Sequence, residues 1–191
     1  MESDAAKAVT RAIRQRRSVG RSEGELSKNA ISELIETATW APNHHLTEPW
    51  TFTVMMGDAR KNLGEFWSKT RADELGLTGE KRDGFVQGES QKPLRSPVLI
   101  AVSVRTDPDP VVAAEDFAAT AAAVQNLLLA AFSQGYSAMW RTGDLAYSMA
   151  VKRYLGLKET DRIVAFVYLG ERGTVTPQPQ ERKKPEIHWR D

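Results

Sequence analysis

Apolar positions along this chain switch between helical and strand periods. Ala5, Val9, Ala12, Ile13 and Arg16 fall on one side of a helix over residues 5–17. Ser27 reads as the N-cap of a second helix over about 28–40, with Ile31, Leu34, Ile35 and Ala38 as its buried stripe and Pro42 as its stop. "TFTVMM" (51–56) reads as a strand with Gly57-Asp58 as its turn, and 58–70 as a third helix. Residues 71–96 are charged, glycine-bearing and weakly periodic, which reads as a mobile cover. "VLIAVSV" (98–104) is a continuous apolar run, the mark of an interior strand. "YSAMW" (136–140) and "IVAFVYLG" (163–170) are further strands, with a short helix at 148–155 between them.

The helix over 115–135 stands apart, because it is apolar nearly all round over 117–132 and stops at Gly135. A helix without a polar face is buried from several sides. A 191-residue chain has little core for that, so a dimer interface is the favoured reading. The tail over 171–191 carries three prolines and must lie extended over this chain or a partner. Helices and strands alternate without a glycine-rich strand-to-helix turn of the dinucleotide type, so a mixed α+β sheet covered by helices follows.

Charge and composition narrow the picture. The formal net charge of +1 gives no field for recruiting nucleic acid or membranes. The absence of cysteine excludes disulfides, thiol nucleophiles and cysteine-ligated metals, and favours a cytoplasmic protein. The N-terminus lacks a signal peptide's apolar core, and no apolar run approaches the roughly 20 residues of a membrane span. One domain spanning 1–191 is expected.

Three short stretches carry candidate chemistry. "RQRRS" (14–18) is either a solvated cationic helix end or a set of guanidinium forks and a hydroxyl that hold a phosphate. "APNHHLTEPW" (41–50) sets two histidines between two prolines; neighbouring side chains diverge, and HExxH and GxSxG motifs are absent, so neither a metal site nor a triad is favoured. The remaining reading is a loop whose polar tips meet a bound ring system. "WRTGDL" (140–145) and "ERKK" (181–184) say little alone.

Their order says more. Arg-Arg-Ser at the end of the first helix, "APNHHLTEPW", a buried Ala/Leu helix ending in glycine, "MWRTG", "IVAFVYLG" and a terminal "RKK" resemble the FMN-dependent nitroreductase family, in its short single-domain branch with APxH and WRxG motifs. The resemblance implies a mainly antiparallel sheet in a domain-entwined homodimer with FMN at the interface. It implies that Arg16, Arg17 and Ser18 hold the FMN phosphate and ribityl chain, with Arg182 and Lys183 from the tail. His44 of the other subunit would reach the flavin, and Trp140, Arg141 and Thr142 would border it. Residues Ala130, Ala131, Phe132, Ser133, Gln134 and Gly135 correspond to a segment that receives NAD(P).

The implied activity is ping-pong reduction of nitroaromatics, quinones or activated alkenes, with NADH or NADPH passing hydride to flavin N5. No side chain need act as a general acid, so no catalytic residue and no metal is expected. Two positions depart from the family pattern: Gly20 stands where many members have a cation, and Glu48 where a glutamine is common. Rival readings are an FMN enzyme of the same fold with other chemistry, dehydrogenation or flavin fragmentation, and a non-catalytic FMN-binding protein.

Overall fold

The computed structural model describes residues 3–173 and 181–190. At its centre lies a four-stranded antiparallel sheet in the order β1-β2-β4-β3, made of β1 (Trp50–Met56), β2 (Val98–Val104), β3 (Tyr136–Arg141) and β4 (Arg162–Glu171). All seven residues of β2 are buried, as its unbroken apolar run requires of a central strand. Side chains alternate across the sheet. Val98, Ile100 and Val102 join one core cluster, while Leu99 and Ala101 join the other. The register between β2 and β4 shifts after Val102, and Val164 and Ala165 consequently lie in the same cluster, the signature of a β-bulge.

Helices cover both faces. Helix α2 (Lys28–Thr39) and the long α5 (Pro110–Ser133) pack on one, through Leu34, Ala123, Val124 and Leu127. On the other lie α3 (Asp58–Glu74), α4 (Gly79–Ser90), α6 (Gly143–Tyr147) and α7 (Met149–Tyr154), with Leu63, Trp67 and Val151 in the second cluster. Ser27 caps α2 by accepting from the Ala30 N–H at 3.1 Å. Asp109 caps α5 by accepting from the Val111 N–H at 2.8 Å, with Pro110 in the first turn. This cap starts α5 five residues before the expected 115.

Helix α1 (Asp4–Gln15) ends before Arg16 and buries none of its residues; its apolar stripe is open, with Val9 60% and Ile13 57% exposed. The chain then runs beside β3, where Ser18 forms an isolated parallel bridge with Ala138. This single bridge is what makes the sheet mixed. Further on, Ser22 Oγ donates to Ser96 Oγ at 2.8 Å and the Glu171 N–H donates to the Glu23 carbonyl at 2.8 Å. Gly170 permits this approach, because a Cβ there would lie 2.3 Å from Ser22 Oγ and 2.9 Å from Pro97 Cδ.

Three expectations change. Residues 71–96 are mostly helical: they hold the end of α3, α4 and a 3-10 turn, Lys92–Arg95. Their periodicity is weak because α4 buries none of its residues. The segment is fastened by an Arg82–Asp73 ion pair at 2.9 Å and by the Trp67 indole N–H donating to Glu89 at 3.2 Å. The short helix expected at 148–155 is α7, and a further short helix that the sequence reading leaves out, α6, precedes it. Finally, although no apolar run reaches span length, α5 at 24 residues is long and apolar enough to cross a membrane by length and composition. Half of its most apolar window is buried inside the protein against α2 and the sheet. Pro177 and Pro179 of the tail lie outside the described residues.

Candidate functional site

The end of α1, β3 and the end of α5 enclose a groove of about 240 Å³ lined by Arg11, Arg16, Arg17, Phe132, Tyr136 and Arg172 among others. Arg16 is the C-cap of α1, and its extended backbone turns its side chain away from the helix. Its Nε and Nη1 are buried without a hydrogen-bond partner among the described residues, as is Arg17 Nε. Arg17 Nη1 donates to the Arg14 and Arg16 carbonyls at 2.7 and 2.9 Å, which fixes that guanidinium. Burial, then Arg17, then Arg182 hold the Arg16 pKa below its ordinary value. Arg182, the smallest of these contributions, adds its charge from the far end of the chain. Guanidiniums gathered with donors unused fit a phosphate, which offers oxygen acceptors and opposite charge.

Ser18 is exposed next to this cluster, and Lys183 is exposed in the tail. Of the segment 130–135, only Phe132 lines the groove. Ala130 and Ala131 are packed in the core, Ser133 Oγ donates back to the Ala130 carbonyl at 2.9 Å, and Gln134 and Gly135 are exposed in the turn, with Gly135 at φ +86°. Arg172 was not singled out by sequence. It donates to the Phe132 carbonyl, and its guanidinium sits 4.3 Å from the centre of the Phe132 ring. No motif marks it; only its place just after the last strand could have drawn attention.

On the opposite face of the sheet a cavity of about 510 Å³ opens between the exit of β3 and the cover helices. Trp140, Arg141 and Thr142 border it, opposite Arg71, Phe85 and Glu89. Trp140 borders the cavity from the strand itself, while its side chain packs on the α2 and α5 side, where the indole N–H donates to the Val164 carbonyl at 3.1 Å. Tyr168 also lines the cavity; burial raises its pKa, and Arg141 and Arg95 oppose the rise. Gly20 lies behind Met139, which lines the same cavity: a Cβ on Gly20 would stand 3.5 Å from Met139 Sδ, an ordinary contact. Neither packing nor φ demands glycine there.

The histidine loop is a 3-10 turn, His44–Leu46, in a left-handed stretch, with positive φ at His45 (58°), Leu46 (52°) and Glu48 (43°). Such values are rare outside glycine and persist only where surroundings hold them. Here the Glu48 N–H donates to Asn43 Oδ1 at 3.0 Å, Arg105 Nη2 donates to the Thr47 and Glu48 carbonyls, and Thr47 Oγ1 donates to Asp116 Oδ1. Glu48 itself is exposed. His44 and His45 do not diverge as adjacent side chains ordinarily would: their rings meet edge-on, 3.9 Å between centres. One donor atom each from His44, His45 and Glu115 lies within 4.8 Å of the others.

The family model described as "Nitroreductase family" matches residues 13–171. The chain belongs to this family. A nitroreductase-like family protein from Bacillus cereus has the same fold at a TM-score of 0.83, with 31% identity over 94% of this chain and 95% of its own. YfhC of Bacillus subtilis (strain 168), whose name proposes an NAD(P)H nitroreductase, is 30% identical over 93% of this chain and 90% of its own length. The FMN-dependent nitroreductase NfnB of Mycobacterium smegmatis, crystallised with NADPH, shares the fold at a TM-score of 0.75 and 18% identity, over 94% of this chain and 96% of its own.

In this nitroreductase-family chain Arg16 and Arg17 line the groove beside β3, Ser18 bridges Ala138 at the edge of that strand, and the charge of Arg182 is felt at Arg16. Trp140, Arg141 and Thr142 stand at the exit of that same strand. His44 is exposed on a loop anchored to α5.

Proposed function

We propose that this chain is an FMN-dependent NAD(P)H oxidoreductase acting on nitroaromatics, quinones or activated alkenes as a cytoplasmic homodimer. The observation that carries the reading is Arg16: two buried guanidinium donors without partners among the described residues, with burial and then neighbouring cations holding its pKa down, in a member of this family. The B. subtilis relative's name points to the same nicotinamide chemistry.

In this reading Arg16 and Arg17 grip the FMN phosphate, Ser18 donates to the phosphate or ribityl chain, and Arg182 and Lys183 close over it. His44 comes from the partner subunit as a donor to the flavin, not as a base. Trp140, Arg141 and Thr142, at the exit of β3, border the cofactor. FMN, when bound, supplies the hydride acceptance and donation that couple the nicotinamide to the electron acceptor. The protein's share is binding, orientation and exclusion of competing reactions.

Support for the dimer is an apolar surface that this chain leaves open. Val9 and Ile13 of α1, Trp40 (82% exposed) and Leu46 (80% exposed) lie outside the core. The outer flank of α5, with Ala118 exposed and Ala121, Ala122 and Leu129 partly so, extends that surface.

The test is the absorbance spectrum of purified protein before and after anaerobic addition of NADH or NADPH. A flavin spectrum bleached by one of them is expected, with return on adding a nitroaromatic or quinone. A flavin-loaded protein that neither nicotinamide bleaches would favour the storage reading, and a colourless protein that takes up no FMN would end the proposal.

A further inference from the structure

We propose that the groove at the end of α1 accepts a second phosphate besides that of FMN, the 2′-phosphate of NADPH, through Arg172 and Arg11, and that the enzyme selects NADPH over NADH there. This rests on the FMN-dependent reductase reading above.

Charge is the first argument. Arg11, Arg16, Arg17 and Arg172 all line the groove, and among the described residues no carboxylate lines it. One phosphate monoester carries about −1.5 to −2. Four guanidiniums therefore leave about two positive charges unopposed once FMN's phosphate is in place. Arg182, close enough to lower the Arg16 pKa, adds to the excess.

Selectivity is the second. Proteins that read the adenosine ribose as a free diol use an acidic side chain on the 2′-hydroxyl, and those that take the 2′-phosphate use arginine. The neighbouring Glu171 does not line the groove: its carboxylate lies against Gly24 in an adjoining cavity, which shares Val19 and Arg172 with the groove but not Phe132.

Preorganisation is the third. The Arg172 N–H donates to the Gly135 carbonyl at 3.2 Å, its guanidinium donates to the Phe132 carbonyl, and the group stacks on the Phe132 ring. Arg11 Nε donates to Gln15 Oε1 at 3.0 Å, leaving its terminal amino groups free to turn into the groove. Both side chains are thus partly ordered before a ligand arrives, which lowers the entropy lost on binding.

The experiment is calorimetric titration of FMN-saturated wild-type protein with adenosine 2′,5′-bisphosphate and with 5′-AMP. NADPH and NADH kcat/KM are measured in parallel. The expected result is at least about tenfold tighter binding of the bisphosphate, the size of one charge-assisted contact, and a matching NADPH/NADH ratio. In Arg172→Ala and Arg11→Ala both ratios should fall toward one. Equal affinity for the two probes in wild type, or ratios unchanged in both variants, overturns the proposal. So does bisphosphate binding that releases FMN, seen as free flavin, since the groove would then hold a single phosphate. A flavin that is bound and reducible with no such discrimination sinks this inference alone; a protein that takes up no FMN sinks the reductase reading with it.

Discussion

Thr47 Oγ1 donates to Asp116 Oδ1 at 2.6 Å, tying the loop that carries both histidines to the one buried carboxylate of α5. Asp116 sits within an otherwise apolar face, and its main-chain carbonyl also accepts from Thr120 at 2.9 Å. The tie opposes the left-handed backbone at His45, Leu46 and Glu48, each of which costs on the order of 1–3 kcal/mol if unsupported. Asp116→Ala should therefore destabilise the protein by about 1.5–3 kcal/mol, read as a lower urea midpoint. FMN affinity should fall with it, because the His44 loop is released. Asp116→Asn, which keeps an acceptor, should retain most of both. An unchanged midpoint in Asp116→Ala would show that Arg105 and Asn43 hold the loop alone.

Gly64 and the two glycines inside α4 should respond oppositely to alanine. A Cβ on Gly64 would stand 2.3 Å from the Ser90 carbonyl oxygen, a backbone atom that cannot turn aside. Overpacking of this kind costs about 1–3 kcal/mol and would part α3 from α4. Gly84 and Gly88 have open space and helical backbones. Alanine at either should stabilise by about 0.4–1 kcal/mol through helix propensity. Thermal melts of the three variants check this; a gain at Gly64 or a loss at both α4 positions would mean that α3 and α4 do not pack as described.

Much of this fold can be read from its sequence. The alternating and continuous apolar runs of the strands, and the Ser27 cap, give the central sheet and α2 to within a residue or so. Residues 71–96 are harder. Gly79, Gly84 and Gly88 lower helix propensity, and α4 buries nothing fully, so neither propensity nor periodicity marks it. The Asp109-Pro110 start of α5 is legible as a cap followed by proline, but Asp107-Pro108 repeats the same pattern and Val111-Val112 lower helix propensity just after it. Of the site, the arginine cluster and the β3 exit follow from family motifs. Arg172 and Arg105 do not, because they matter through contacts with Phe132 and the Glu48 carbonyl, from residues tens of positions away.

Arg16→Ala should weaken FMN retention about 10- to 150-fold, the worth of a charge-assisted phosphate contact. Arg153→Ala removes an exposed guanidinium paired with Glu159 on α7 and should leave FMN affinity unchanged. Fluorescence titration of apo-protein with FMN measures both. Equal loss in the two variants would mean that the arginines act only as a diffuse field.

A dimer built on α1, Trp40, Leu46 and the outer flank of α5 should be obligate and bury well over roughly 2,000 Å². Placing aspartate at Ala118, exposed on α5, would set two charges against an apolar interface and should dissociate it. Sedimentation velocity reads the outcome. A folded wild-type monomer that holds FMN at micromolar concentration would rule out an interface site.

The two histidines should separate by role. Their rings are adjacent because His45 takes a left-handed backbone, which folds its side chain back onto His44. With Glu115 they form a set of donors within 4.8 Å of one another. Tetrahedral zinc with bonds of about 2.1 Å needs its ligands roughly 3.4 Å apart. A metal here would have to set these three donors at that spacing on a loop already held by Asp116 and Arg105. The expected outcome is that His44 serves the flavin of the partner subunit and that no metal is retained. His44→Ala should lower FMN affinity yet leave a reducible flavin in cofactor-saturated protein, while His45→Ala should bind FMN nearly as wild type does. FMN titration, anaerobic NADPH reduction and elemental analysis of wild type decide together. Zinc or nickel at one per chain, lost with His45→Ala or Glu115→Gln and accompanied by loss of activity, would reassign the loop as a metal site. Normal FMN binding with hydride transfer abolished in His44→Ala would make that histidine a participant in the reaction instead of a fixed donor.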